Sequence, residues 1–321
     1  MAACRIVCST GHNVWRNLAL EEHLINQADP REPILYLWRN SPAVVIGRHQ
    51  NPWVESCPDL IDREGVLLAR RSSGGGAVYH DLGNLCFTFL TSRASYDLRR
   101  QTLLVLETLR SLGIDAQLSE RNDLLVAGKK VSGNASWLGR TIACHHGTLL
   151  VDSDLARLAR YLQASTAGIS TKATESVRFP VANLADARPG LTADIVATAL
   201  ISAFTATHGT GPEQVERIDP DTLSELDERA ARHASWEWRF GKTPRFEMEC
   251  CLSLNCDAAR VRLTVARGLI ERCELRPTET DAPSDAPAAA EFCRALTGRR
   301  LQPADIGAAP SSAMEEGPPI E

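Results

Sequence analysis

The chain has 321 residues, 44% of them apolar and 23% charged, which is ordinary for a folded protein of about two domains. Its net charge of −5 gives no basic footprint for nucleic acid, and no run approaches the roughly 18 apolar residues that a membrane span requires. We therefore expect neither nucleic acid nor a membrane as a partner. The ten cysteines lack any C-x-x-C spacing and predict reduced thiols in an intracellular compartment.

The first ten residues hold one arginine and no acid, which is typical of organelle transit peptides, although a full one is longer. After them, apolar periodicity predicts a helix at 15–28 with Asn13 as its cap. Another helix should use Pro52 as an early position and end near Gly65. Further helices are predicted at 97–112, 154–162, 192–208, 221–235 and 291–296.

Short apolar runs bounded by turn residues predict the strands. They lie at 34–38, 43–47, 65–69, 77–79, 84–90, 114–118, 123–126, 130–133, 140–144, 147–151, 246–255, 261–266 and 269–275. Two pairs should form hairpins, namely 34–38 with 43–47 and 123–126 with 130–133. The polar stretch 167–183 predicts a loop, and the Pro/Ala/Asp-rich stretch 277–288 predicts a flexible one. A shift to Gly, Pro and charge at 210–220 predicts a domain boundary.

Three consecutive glycines stand between two predicted strands in the segment 70–81, R-R-S-S-G-G-G-A-V-Y-H-D. Because glycine has a large entropy cost on folding, the run predicts that something approaches the main chain too closely for a Cβ atom. The segment lacks the G-x-x-x-x-G-K-[ST] spacing of a phosphate loop, and no helix follows it as in a dinucleotide site. A tight turn with incidental neighbours is the alternative, but the arginines, serines, tyrosine and histidine around it favour a ligand site.

Arg121 and Lys130 form a second candidate cluster, and the run K-V-S-G-N-A-S begins at the lysine. If 123–131 is a hairpin, the two cations come from paired strands and can converge on one anion. A lysine offers a point charge and three donors, which suits a phosphate or a developing oxyanion. A surface lysine beside a turn is the alternative, and it describes the neighbouring Lys129 better.

His145 and His146 are adjacent, between two predicted strands. Because successive side chains of a strand point to opposite faces, the pair is poorly placed to share an ion, and no metal site is predicted. One histidine should be buried and hydrogen-bonded, and the other should lie near the site. No G-x-S-x-G segment or partnered cysteine indicates a nucleophile of the protein's own.

Five segments together resemble the family of lipoate-protein ligases and lipoyltransferases, which is related to the biotin protein ligases. They occur in family order within residues 14–310 and read I-G-R-H-Q-N-P-W, R-R-S-S-G-G-G-A-V-Y-H-D-L-G-N, R-N-D-L, K-V-S-G-N-A and S-V-R-F-P-V-A-N-L. The first of them, with H-H-G-T-L-L and W-E-W-R-F-G-K-T-P, is most similar to the mitochondrial lipoyltransferases of animals.

The resemblance implies an α/β (α+β) fold. A catalytic domain like that of the biotin and lipoate ligases, with a mostly antiparallel sheet, would occupy 1–210. A small α+β accessory domain would follow at 211–310, with a disordered tail at 311–321. The ligand would be lipoyl-5′-AMP or a lipoyl group, with no permanently bound cofactor, and the protein would be a mitochondrial monomer.

The resemblance also assigns residues by motif. Lys130, which precedes V-S-G, would be catalytic and would contact the lipoyl carbonyl and the phosphate. The other expected substrate-binding residues are Tyr79, Arg121 and Thr148 around lipoyl-AMP; Gly74, Gly75 and Gly76 against the acyl chain; Arg71 and His80 beside these glycines; and Thr171, Ala173, Thr174 and Ser176 in the loop that would close over the adenylate.

Two activities occur in the family. A transferase would move a lipoyl group from the glycine-cleavage H protein, or from lipoyl-AMP, to a lysine on lipoyl domains of 2-oxoacid dehydrogenase E2 subunits. A ligase would first activate free lipoate with Mg-ATP, and R-R-S-S-G-G-G-A, which has no third arginine, is closer to the bacterial ligases. A lipoyl carrier without activity is disfavoured, because it leaves a cationic Lys130 beside a phosphate-sized site unexplained.

Overall fold

The structure, a computed structural model, describes residues 4–162, 168–208, 215–254, 257–276 and 286–302. Its helices are α1 Val14–Gln27, α2 Pro52–Glu55, α3 Pro58–Arg63, α4 Leu98–Ser111, α5 Leu155–Tyr161, α6 Leu184–Ala187, α7 Ala193–His208, α8 Asp227–Ala234, α9 Trp236–Arg239 and α10 Ala286–Leu296. Its strands are β1 Arg5–Ser9, β2 Ile34–Trp38, β3 Ala43–Ile46, β4 Leu67–Arg70, β5 Val78–His80, β6 Asn84–Ser92, β7 Ala116–Leu118, β8 Leu124–Val126, β9 Lys129–Ser132, β10 Asn134–Leu138, β11 Ile142–Leu150, β12 Ile169–Thr171, β13 Glu216–Ile218, β14 Phe246–Leu254, β15 Asp257–Ala266 and β16 Leu269–Arg276.

A six-stranded sheet forms the centre of the larger unit, in the order β10-β11-β6-β2-β1-β13. Strand β1 is parallel to β2 and β13, and the other neighbours are antiparallel. β2 and most of β6 are buried, as expected for apolar runs in the middle of a covered sheet. The expected α/β architecture with a mostly antiparallel sheet is confirmed.

Helices cover both faces of this sheet. On one face, α4 and α7 contribute to a buried cluster in which Leu109 and Phe89 take part. On the other face, α1 and α8 form a second cluster that contains Leu24, Ala230 and Tyr36. Each helix turns one apolar stripe inward, so the sheet is the middle of three layers.

The cap predicted for the first helix forms, whereas the single helix predicted from Pro52 to near Gly65 is two short helices, α2 and α3. Asn13 accepts hydrogen bonds from the backbone N–H groups of Trp15 and Arg16 at the start of α1. Asp97 caps α4 in the same way. Gly113, with φ +75°, follows α4 in the left-handed region that often ends helices.

The predicted hairpin of 34–38 with 43–47 is wrong. β2 lies in the central sheet, whereas β3 lies between β4 and β5 in a separate three-stranded sheet. The link between them passes through Asn40, whose buried side-chain amide bonds Asn17 and His80 and so fixes the change of sheet. In the sequence, that short polar link is indistinguishable from a hairpin turn.

The two strands predicted at 140–144 and 147–151 are one strand, β11, which pairs with β6 along its whole length. His145 and His146 lie in its middle, and both are buried. Polar side chains there look like a turn in the sequence, but hydrogen-bond partners on neighbouring elements let the strand continue. Strands β1, β10, β12 and β13 were not predicted, because β10, β12 and β13 have no clear apolar run and β1 lies in the segment whose composition is typical of a transit peptide.

The smaller unit is a four-stranded antiparallel sheet, β12-β14-β15-β16, with α10 packed against it. The domain boundary at residue 210 stays a prediction, and hydrogen bonds cross it in both directions. β13 pairs with β1 of the larger unit, and β12 pairs with β14 of the smaller one. Residues 277–285 of the predicted flexible loop, and the predicted tail, lie outside the described residues. Among the described helices, none combines the length and the apolar character that crossing a membrane requires.

Candidate active site

A cavity of about 1000 Å³ lies where the glycine segment, strands β9–β11 and the loop after β12 meet. Its volume is at the upper end of the range for small-molecule sites, roughly 300–1,000 Å³. The predicted site residues that line it are Arg71, Gly75, Gly76, Tyr79, His80, Arg121, Lys130, Thr148, Thr174 and Ser176. Gly74, Thr171 and Ala173 are not among the lining residues.

Lys130 lies at the start of β9, and its main chain is fixed on both sides. Its N–H donates to the carbonyl of Pro180, and its carbonyl accepts from the N–H of Ala182. Its Nζ atom is 2.8 Å from Oδ1 of Asp123, which also lines the cavity. A Cβ atom on Gly133 would lie 3.7 Å from both Lys130 Cε and Thr148 Oγ1, so these three residues meet at one place.

Arg121 lines the same cavity from a different element than predicted. The hairpin of β8 and β9 forms as expected, but β8 begins at Leu124, so Arg121 belongs to the turn that precedes it. In that turn Asn122 has φ +61°, in the left-handed region. The Arg121 side chain is exposed, and no carboxylate of the described residues pairs with it. Arg121 and Lys130 therefore line the same cavity, and of these two residues only the lysine has an acidic partner.

The three glycines have different neighbours. Gly75 has φ +87°, and a Cβ atom on it would lie 2.8 Å from Nη2 of Arg71. A Cβ atom on Gly76 would lie 2.8 Å from Oγ of Ser176, whereas at Gly74 nothing lies within 4 Å. The close approach that the glycine run predicts is thus made by side chains of this chain. Gly74 is not among the lining residues, and the prediction that all three glycines pack against the acyl chain stays a prediction.

The two arginines before the glycines are bonded to the protein itself, although the sequence favours a ligand site around them. Arg71 is buried and donates to the carbonyls of Gly74, Gly76 and Val45. Arg70 is fully buried and donates to main-chain carbonyls on two sides of the glycine segment. Burial lowers the pKa of each guanidinium to about 10. Both side chains brace the main chain, and their charge is already surrounded by carbonyl oxygens.

Ser176 joins the loop after β12 to the glycine segment. Its hydroxyl accepts hydrogen bonds from the Ala77 N–H, at 2.8 Å, and from the Gln50 amide, at 3.0 Å. The same hydroxyl donates to the buried carboxylate of Glu55, which also accepts from the Ser176 N–H. Thr174 adds a backbone bond to His49. The loop that the resemblance places over the adenylate is therefore docked against the glycines by one side chain.

His146 lines the cavity as part of a buried hydrogen-bonded chain. Its Nε2 is 2.6 Å from Oγ of Ser73, and its Nδ1 is 2.9 Å from Oε1 of Glu21, which also accepts from Thr88. Burial raises the pKa of Glu21, but His146 and Thr88 outweigh burial and lower it overall. The ligand atoms of Cys144, Glu21 and His146 lie within 4.8 Å of one another, which is close enough to hold a metal ion. Glu21 and His146 are hydrogen-bonded to each other and to Thr88 and Ser73. The predicted absence of a metal stays a prediction.

His80 and Tyr79, both in β5, line the cavity with different electrostatics. Burial, together with the Arg71 charge, lowers the pKa of His80 to about 3, so the ring is neutral and its Nδ1 accepts a hydrogen bond from the Asn40 side-chain amide. Burial and the Asp81 charge raise the pKa of Tyr79 to about 12.

Two buried hydroxyls in the cavity lining lack a partner. Neither the Tyr79 OH nor the Ser132 Oγ has a hydrogen-bond partner among the described residues. Buried polar groups are rarely left without one, and both oxygen atoms are almost inaccessible to solvent. The glycine motif pointed to the tyrosine, and Ser132 follows Lys130 in K-V-S, but sequence reasoning assigned the serine no role.

Residues 13–205 match the family described as the lipoyl protein ligase A/B catalytic domain, well over half of the chain. The chain belongs to the lipoate-protein ligase family. The match includes the glycine segment, Lys130 and the loop that holds Ser176. This family membership makes the protein an enzyme of the ligase and transferase type, with a catalytic domain for protein lipoylation.

Solved structures agree with the family. The chain is 30% identical to P. falciparum LipL1, solved in complex with lipoate, with a TM-score of 0.66 over 85% of this chain and 84% of that one. It is 27% identical to T. acidophilum Ta0514, solved with lipoic acid, with a TM-score of 0.61 over 75% and 100%. It is 28% identical to a lipoate-protein ligase A bound with ATP, with a TM-score of 0.62 over 74% and 98%. The predicted fold class is thereby confirmed.

Proposed function

We propose that this member of the lipoate-protein ligase family transfers a lipoyl group to a lysine on the lipoyl domains of 2-oxoacid dehydrogenase E2 subunits. The donor is lipoyl-5′-AMP or the lipoylated glycine-cleavage H protein. The protein acts in mitochondria, as a monomer without a permanently bound cofactor. The animal-type motifs I-G-R-H-Q-N-P-W, H-H-G-T-L-L and W-E-W-R-F-G-K-T-P support this subtype.

The observation that carries the proposal is Lys130, a cation in the wall of a cavity large enough for an acyl adenylate. The same lining includes apolar side chains such as Leu18 and Val45. An acyl chain bound against apolar surface excludes water from the labile acyl phosphate. The cations of the cavity lining stabilise the negative charge of the phosphate. The relatives solved with lipoate support a lipoyl group as that acyl chain.

In the proposed mechanism with lipoyl-AMP as donor, the acceptor lysine supplies the nucleophile. Its neutral amine attacks the acyl carbonyl and loses a proton to solvent, negative charge grows on the acyl oxygen, and the acyl C–O bond breaks so that AMP leaves with the charge on its phosphate. The Lys130 ammonium stabilises that charge, which we expect to lower the barrier by about 3–4 kcal/mol. Because the acceptor brings its own amine, the protein needs no nucleophilic side chain.

Asp123 has a place in this mechanism. Before ligand arrives, it holds the Lys130 ammonium at 2.8 Å, so the cation stays in the cavity wall. An incoming phosphate competes with this carboxylate for the same donors. The ammonium has three N–H donors, so it can turn toward the phosphate while keeping one bond to Asp123.

An ATP-dependent lipoate ligase is the second candidate. Two observations favour it: the glycine segment reads R-R-S-S-G-G-G-A, and the chain is similar to a lipoate-protein ligase A bound with ATP. In that case Mg-ATP is a substrate, and the same cavity carries out activation before transfer.

One experiment separates the two candidates. The protein is incubated with an unmodified lipoyl domain and one of three donors: lipoate with Mg-ATP, synthetic lipoyl-AMP, or lipoylated H protein. Intact-mass spectrometry of the lipoyl domain measures the product. The transferase predicts product with lipoyl-AMP or H protein and none with lipoate and ATP. Product from free lipoate and ATP would replace it with the ligase, and no product from any donor would contradict both.

A further inference from the structure

A second group of reactive side chains lies in the smaller unit, outside the cavity lining. Cys273 in β16 and Cys293 in α10 face each other, with their Sγ atoms 2.7 Å apart. Both are free thiols. A disulfide has an S–S distance of about 2.05 Å, so forming one requires the two atoms to approach by only roughly 0.65 Å.

The fold, and not chain proximity, brings these thiols together, because they are 20 residues apart in the sequence. Cys293 is buried with Phe292 and Leu296, where α10 packs on the sheet. Cys273 is half-buried and stands opposite Leu263 in the ladder of β15 and β16. Helix and strand therefore hold the two sulfurs next to each other, while Cys273 remains partly exposed to solvent.

The contact between the thiols also polarises them. The Cys273 S–H donates to the Cys293 sulfur, and this hydrogen bond lowers the pKa of the Cys293 thiol. The same contact, with burial, raises the pKa of Cys273. The thiolate is the reactive form of cysteine, and the hydrogen bond favours it at Cys293, whereas Cys273 is the more exposed of the two residues.

We propose that Cys273 and Cys293 are a redox modification site that closes to a reversible disulfide when the protein meets a peroxide. One of the two sulfurs, as the thiolate, attacks one peroxide oxygen and breaks the O–O bond, giving a sulfenic acid and, after protonation, one water. The sulfur of the other cysteine then loses its proton and attacks the sulfenic sulfur, the S–O bond breaks, and a second water leaves. Hydrogen peroxide is reduced, and the two thiols are oxidised by two electrons in total.

The bridge has a consequence within the smaller unit. It joins α10 covalently to β16, one edge strand of the sheet, and restricts the unfolded chain, so the oxidised protein should unfold at a higher temperature. The opposite edge strand of that sheet is β12, which leads into the loop that Ser176 docks. A thiol reductant restores both cysteines and reverses the effect.

The test uses the full chain treated with hydrogen peroxide, then blocked with a thiol alkylator and digested without reduction. We expect a peptide pair linked through Cys273 and Cys293, lighter by about 2 mass units than the two thiol peptides together, as the loss of two hydrogens requires. The pair should disappear on reduction, and Tm should rise on oxidation and return on reduction.

The matched control is Cys8→Ser, which removes another half-buried thiol, in β1 of the larger unit. That variant should keep the linked pair, whereas Cys273→Ser and Cys293→Ser should each lose it. The unmutated chain decides the matter even if a serine variant fails to fold. A linkage from Cys273 to Cys250 on the same sheet, or over-oxidation without any linkage, would overturn the proposal.

Discussion

The two walls of the cavity use their cations in opposite ways. The glycine wall, residues 70–80, contains Arg70 and Arg71, whose guanidinium groups are buried and bonded to main-chain carbonyls. The hairpin wall, residues 121–133, contains Arg121 and Lys130, which line the cavity, and of these two only Lys130 pairs with a carboxylate, that of Asp123. The arginines of the glycine segment therefore stabilise the main chain that shapes the site. The hairpin wall supplies the positive charge that can bind a ligand.

Lys130→Ala tests most directly whether the hairpin wall supplies the positive charge. If the hairpin wall supplies the charge, the variant should lose transfer by roughly 10²–10³-fold, because about 3–4 kcal/mol of barrier lowering disappears. Its fold should be unchanged, since the side chain is half-exposed and its backbone bonds remain. Single-turnover transfer from lipoyl-AMP and far-ultraviolet circular dichroism measure the two effects.

Lys129→Ala is the matched control for this substitution. Lys129 is the exposed neighbour in the same strand, outside the cavity lining, so its removal should leave transfer close to normal. Near-normal transfer by Lys130→Ala would mean that another group stabilises the developing charge.

On the glycine wall, Arg71→Lys should act mainly on stability. An ammonium cannot reach the carbonyls of Gly74, Gly76 and Val45 together, so buried acceptors lose their donors. We expect the free energy of unfolding to fall by about 2–3 kcal/mol. Denaturation with guanidinium chloride measures the free energy of unfolding. Arg121→Lys on the hairpin wall is the control, and it should leave stability unchanged. Unaltered stability with lost transfer would show that Arg71 serves the ligand directly.

The contact between the glycine wall and the loop after β12 is tested by Ser176→Ala. The change leaves the Ala77 N–H and the Gln50 amide without their acceptor, so we expect the docked loop to lose about 1–2 kcal/mol. KM for lipoyl-AMP should rise roughly 5–30-fold with little change in kcat. Ser170→Ala, an exposed hydroxyl in β12, should leave KM unchanged. A fall in kcat at constant KM would contradict a docking role.

The effect that is smallest near neutral pH concerns His80 on the glycine wall. Its folded-state pKa is about 3, below the unfolded value of about 6.5, so between these values the unfolded chain binds a proton that the folded one does not. Stability is therefore complete above pH 6.5 and falls on acidification, by about 1.4 kcal/mol per pH unit from this histidine. His80→Gln should reduce the slope of unfolding free energy against pH by that amount. An unchanged slope would mean that His80 is charged in the fold.

Local features of the sequence predicted much of this structure. Asn13 forms the predicted cap within a few residues of its own position, and the hairpin of β8 and β9 follows from its turn. That hairpin also brought Lys130 to the cavity, as the motif implied. In each case the partners lie close together in the chain, so periodicity and turn chemistry contain the information.

The unpredicted features depend on partners that are distant in sequence. The acceptors of Arg70 include the carbonyl of Trp238, and the groups that donate to the Ser176 hydroxyl are the Gln50 amide and the Ala77 N–H. A motif shows that an arginine or a serine is present, but not which hydrogen-bond partners it finds in another part of the chain. The sheet change at Asn40 was missed for the same reason.

The environment of Arg70 limits how this protein can be divided. Its guanidinium donates to the carbonyls of Gly47, Arg48 and Gln50 on one side, and to those of Trp238 and Arg239 and the Thr243 hydroxyl on the other. A fragment that stops before residue 215 would remove half of these acceptors, β13 beside β1, and α8 beside α1. The smallest piece that can be produced as an independent folded enzyme therefore extends past residue 243, well beyond the family-matched segment.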